Sequence, residues 1–138
     1  MVEQTSRYGL GTTVDLPYER AVQRTRDELA KEGFGVLTEI DVAATLKKKL
    51  DVTFRPYVIL GACNPPLAHR VLTAERDIGL LLPCNVVVYA ADEPERSVVA
   101  AMDPIAALAL TGNDQIRTVA EDVRRRLERV LAAVERAR

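Results

Sequence analysis

The most regular pattern of apolar and polar positions lies in the last part of the chain. Ile116, Val119, Ala120, Val123, Leu127, Val130, Leu131 and Val134 fall on one stripe when successive residues are turned by 100°, and Arg125, Arg126 and Arg129 fall opposite. Glu121 and Asp122 stand four positions before Arg125 and Arg126, the spacing at which helical side chains of opposite charge meet. This predicts a long terminal helix with one face in the core and a charged, solvated back.

Upstream, the patterning alternates between two periods. Residues 7–14 read as a strand with Tyr8, Leu10 and Val14 on one side. Asp15 or Leu16 is then expected to cap a helix that has Pro17 near its first position. Tyr18, Ala21, Val22, Thr25 and Leu29 line its inner face and Gly33 stops it. A second strand follows, with Phe34, Val36 and Ile40 sharing a face. Asp41 caps a short helix in which Val42, Leu46 and Leu50 recur every four residues. A third strand runs through "YVILGAC", a helix from about Pro65 to Arg76, and an apolar turn through "DIGLLLP". "CNVVVYAA" and "SVVAAM" make two more strands around a polar loop, Asp92 to Arg96.

Long crossover helices do not separate the strands regularly, so a doubly wound parallel sheet is not expected. The order predicts an α+β fold: one antiparallel sheet with helices packed mainly on one face. No repeat or linker interrupts the 138 residues, which read as one domain, 1–138. The Val-rich runs lack polar alternation, so both sheet faces should be covered, by helices or by a second subunit.

Bulk properties narrow the classes. The net charge is -1, so no overall field recruits nucleic acid or an anionic membrane. There is no run of 18 or more apolar residues, and the first twenty residues lack a signal-peptide pattern, so a soluble cytoplasmic protein is expected. Two cysteines make neither a disulfide framework nor a zinc motif.

Candidate chemistry gathers at "LGACNPPLAHRV", residues 60–71. Asn64 before Pro65 is a helix start in which Asn caps and Pro loses nothing by lacking an N–H. Cys63 then lies one residue outside the cap, near the positive end of the helix dipole, where thiols are activated, although free cysteines also serve as small buried hydrophobes. His69, the single histidine, turns away from the buried arc of Leu67, Ala68, Val71, Leu72 and Ala74, which argues against a Cys63–His69 pair and against metal ligation. Cys84 opens a strand as Cys63 closes one. If these strands are antiparallel neighbours, both thiols lie at one sheet edge, with Asn64 and Asn85 beside them. "GLGTTV" lacks the third glycine of a dinucleotide fingerprint and sits within a strand. Asp15, Asp41 and Asp103 are read as helix starts, and Lys47, Lys48 and Lys49 as a solvated face.

The segments 33–50, 55–72, 78–89 and 99–104, with G-A-C-N-P and L-L-P-C-N among them, resemble the domain of unknown function 302 family. The resemblance implies a TATA-binding-protein-like arrangement and a homodimer, and it supplies no reaction. It adds Asp41 and Lys49 to Cys63, Asn64 and Cys84 as candidate ligand-binding positions. The expectation is therefore a small dimeric domain that binds a small molecule or ion near Cys63, Asn64 and Cys84. The competing readings are a thiol enzyme or sulfur carrier using Cys63, and a structural protein with core cysteines. The pattern names no cofactor.

Overall fold

In a computed structural model, residues 1–137 are described and build one six-stranded sheet. The strands are β1 (Glu3–Ser6), β2 (Gly9–Val14), β3 (Gly35–Asp41), β4 (Tyr57–Cys63), β5 (Cys84–Ala90) and β6 (Ser97–Met102). The helices are α1 (Tyr18–Lys31), α2 (Val42–Leu50), α3 (Pro65–Ala74), α4 (Pro104–Leu108) and α5 (Asp114–Glu135), with a 3-10 helix at Arg76–Leu81. The strand order is β1-β2-β6-β5-β4-β3, and every neighbouring pair is antiparallel. The fold is α+β, as the order of elements predicts.

Alternation decides which side chains enter the core. Val58, Leu60 and Ala62 of β4, Val86 and Val88 of β5, and Val99 and Ala101 of β6 are all buried. The eight apolar positions of the terminal stripe are buried on α5, and α1, α3 and α4 pack against that helix. Thr25, a polar residue on the inner face of α1, is accommodated because its hydroxyl donates to the Ala21 carbonyl at 2.8 Å.

The other sheet face is apolar but open. The register sets Ile40, Ile59, Val87, Ala100 and Gly11 in one row across five strands. A second row holds Tyr57, Tyr89, Val98 and Thr13, in which the two tyrosine rings stack at 5.2 Å. Ile59, Val87 and Ala100 are only half-buried.

Three local expectations need correction. Tyr8 does not share the inner face with Leu10 and Val14. It is 72% exposed in the turn between β1 and β2, and β1 is a strand its polar sequence conceals. Neither Asp15 nor Leu16 caps α1. Pro17 occupies the cap position without a side-chain bond, Leu16 is buried, and the Asp15 carboxylate accepts from Arg96 Nε at 2.8 Å. A shift in pairing between Val36 and Thr38 breaks the alternation of β3, so Ile40 leaves the face of Phe34 and is half exposed. The helix start read at Asp103 is present as the short α4, between β6 and α5, whose cap Asp103 accepts from the Ile105 N–H at 3.0 Å.

Candidate functional site

The Cys63–Asn64–Pro65 junction forms as the sequence dictates. Asn64 is the cap of α3, and its Oδ1 accepts from the Leu67 N–H at 3.3 Å. Pro65 and Pro66 fill the first two helical positions. Gly33, which ends α1, has φ +85°, and a Cβ there would stand 3.0 Å from Asn64 Nδ2. Only glycine meets both demands, so the stop signal of α1 is also one wall of the Asn64 niche. Arg126 Nη1 donates to the Glu32 carbonyl at 3.0 Å and holds this bend to α5.

Behind the junction lies a cavity of about 340 Å³. Leu67 and Val71 of α3, Leu108 of α4, and Val119 and Val123 of α5 supply its apolar body. Its polar residues are Thr38 within β3, Cys63 and Asn64 at the end of β4, and Cys84 at the start of β5. No charged side chain lines it among the described residues. Pockets of this kind, apolar with a few convergent polar groups, are where small molecules bind, and this volume is near the lower end of their range.

The structure thus brings Cys63, Asn64 and Cys84 to one cavity, because β4 and β5 are antiparallel and Ala62 pairs with Cys84. Both cysteines are free thiols, Cys84 buried and Cys63 partly exposed. Burial, and after it the charge that a Cys63 thiolate places nearby, push the Cys84 thiol up to about 11. Cys84 therefore stays protonated at neutral pH.

Asp41 and Lys49 are not brought to this cavity. Asp41 pairs with Val58, near the start of β4, whereas Cys63 ends that strand, roughly 17 Å away at the rise of an extended chain. The Asp41 carboxylate accepts from the Ala44 N–H at 2.9 Å and so caps α2. Lys49 is exposed on α2, a helix with no buried residue. The pocket combining Asp41, Lys49 and Cys63 does not form. Asn85 is exposed and also lies outside the cavity, and His69 lines a separate groove between α3 and α5. Among the described residues no three His, Cys, Asp or Glu side chains cluster to hold a metal.

Sequence reasoning missed most of the cavity wall. Thr38 and Leu37 come from β3, Pro104 and Leu108 from α4, and Val119 from α5. A signal existed for one of them: Gly61 sits within an otherwise apolar strand, which marks a close approach by another group. That group is Thr38.

The family described as Domain of unknown function DUF302 matches residues 10–134. Among solved structures, the chain is similar to the crystal structure of an uncharacterized conserved DUF302 protein from Bacillus stearothermophilus. The TM-score is 0.84 and the identity 29%, over 94% of this chain and 99% of that one. None of the curated proteins compared with the chain is detectably similar to it.

Proposed function

The chain belongs to the DUF302 family, whose description assigns no reaction, and we propose from the cavity itself that this protein binds a small, largely apolar molecule between α3, α4, α5 and the ends of β3, β4 and β5. The observation that carries this reading is a cavity of about 340 Å³ with an apolar body and, among the described residues, no charged side chain in its lining. At about 30 Å³ for each water-sized group, it holds roughly ten non-hydrogen atoms. An ion has little to recommend it here, because a charge moved into an apolar, unpaired setting is strongly disfavoured. The thiol-enzyme reading has less support: Cys84 is held protonated, and among the described residues no charged group lines the cavity to act as a base for Cys63.

The test is a titration of the protein with heptane, followed by backbone amide NMR. Saturable shifts at Leu67, Val71 and Val123 support the reading, and they should vanish in Ala68→Phe, which fills the cavity. The absence of saturable shifts at those residues in the wild type overturns it.

A second element of the proposal concerns the open sheet face. Its apolar rows suit a second copy of this chain. Six strands about 4.8 Å apart and about 20 Å long present roughly 500 Å² per copy, or about 1,000 Å² in a two-fold pair, at the lower limit for a specific interface. Phe54, tilted against Tyr57 at 6.1 Å, and the exposed Val52 add apolar area beyond the strands. A homodimer is the partner state this face supports.

A further inference from the structure

Helix α2 is closed at both ends and yet buries nothing. The Asp41 carboxylate accepts from the Ala44 N–H at 2.9 Å, and the Thr45 hydroxyl donates to the Asp41 carbonyl at 2.8 Å. The last turn closes on Asp51, a left-handed residue at φ 53° whose N–H donates to the Lys47 carbonyl at 3.0 Å. Val42, Leu46 and Leu50 recur every fourth residue, the spacing of one helix face. Among the described residues none of α2 is buried, and Leu50 is 65% exposed. Its nine residues are fewer than the roughly 12–15 that sustain a helix alone in water, where most helical stability comes from packing an apolar face. Caps do not replace that packing.

The exposed apolar surface continues past the helix. Residues 51–56 are all exposed, Val52 and Phe54 among them. Arg55 pins this segment to the end of β5: its Nη1 donates to the Ala90 carbonyl at 3.0 Å and its Nη2 to Asp92 at 2.9 Å. The Phe54 ring lies against Tyr57, which stacks on Tyr89. Both tyrosines belong to the open sheet face, so the segment after α2 runs directly into that face.

We infer that residues 42–56 form an arm that closes over a second copy of this chain, seating Leu50, Val52 and Phe54 on it as the open sheet faces meet. This rests on the reading of that face as the seat of a second copy. A helix about 13 Å long and 10 Å wide, with Val52 and Phe54 beside it, adds roughly 200 Å² per copy. The pair then buries about 1,400 Å², within the range of stable interfaces and no longer at its lower limit. An anionic membrane suits the arm less well. Lys47 is paired with Asp51 and Arg55 with Asp92, whereas recruitment to such a surface takes a cluster of about four to eight cations.

The test is hydrogen exchange of the full chain about a hundredfold above and below the dimer's dissociation constant, which light scattering supplies. On dilution the α2 amides should exchange about tenfold faster, following the monomer fraction, while those of α5 stay unchanged. Leu50→Ser and Phe54→Ser should each raise the dissociation constant about tenfold. Neither side chain enters the core, so thermal unfolding of the diluted variants should match that of the diluted wild type. A dimer whose α2 exchange ignores dilution, or whose affinity ignores both substitutions, would overturn this inference alone. So would sedimentation with vesicles of mixed phosphatidylcholine and phosphatidylglycerol that Leu50→Ser abolishes. A wild type monomeric at every concentration would overturn the open-face reading together with it.

Discussion

Thr38 stands where a side chain on Gly61 would have to be: a Cβ at Gly61 would lie 2.1 Å from Thr38 Oγ1 and 2.9 Å from Pro83 Cγ. Thr38 and Pro83 both line the cavity, so the bare backbone of Gly61 lets two parts of its wall close over β4. Gly61→Ala should therefore destabilise by about 1–3 kcal/mol, the usual cost of overpacking. In the double variant with Thr38→Ala part of that loss should return, because Thr38 Oγ1 makes the worse clash while the Pro83 contact remains. Urea unfolding of the three variants measures it.

The two thiols should behave differently. With Cys84 held up to about 11 and buried, iodoacetamide at pH 8 is expected to label Cys63 in the native protein and Cys84 only after unfolding. Peptide mass mapping reads this directly, and native labelling of Cys84 would show that the cavity floor opens.

The same shift predicts a pH effect on stability. The Cys84 pKa is higher in the folded chain than in the unfolded one, so above the ordinary thiol range the unfolded state binds fewer protons. Stability then falls as pH rises towards about 11, and the part due to Cys84 is intact below the ordinary thiol pKa. Tyr18 and Tyr57 are raised mainly by burial and add to the same trend. The decline should be shallower in Cys84→Ala than in the wild type, by about 2 kcal/mol at the alkaline end. Parallel curves from chemical unfolding would refute this attribution.

The helix start is testable alone. Asn64→Ala removes the bond from the Leu67 N–H and should cost about 1 kcal/mol, whereas Asn64→Ser keeps an uncharged capping oxygen and should cost less. Equal loss in both variants would mean that the niche against Gly33, and not the cap, sets the requirement for Asn.

The open sheet face yields a fifth prediction. Ile59→Lys places a charge in the middle of the row from Ile40 to Gly11 without touching the buried side of β4. Light scattering should show a wild-type dimer and a monomeric variant with an unchanged helix signal. A monomeric wild type would remove the second copy from the account.

How much of this was legible in the sequence depends on how local the cause is. The buried stripe of α5 and the cap at Asn64 follow from spacing and residue chemistry within one element, and both stand as read. The α1 cap failed because Asp15 pairs with Arg96, more than eighty positions away. Ile40 failed because a bulge reverses the alternation that its spacing from Phe34 implied. β1 has no apolar period at all: Glu3, Gln4, Thr5 and Ser6 form a strand because β2 offers them a free edge. The junction itself could be found, since Cys63 and Cys84 both mark strand ends. The cavity could not, because its walls come from β3, α3, α4 and α5, and no local pattern says which of these will leave space between them.

The most direct test of the central claim is the heptane titration followed at the amides of Leu67, Val71 and Val123. The account predicts saturable shifts confined to the cavity lining and abolished by Ala68→Phe. Shifts spread over the open sheet face, or none at saturating heptane, would contradict it.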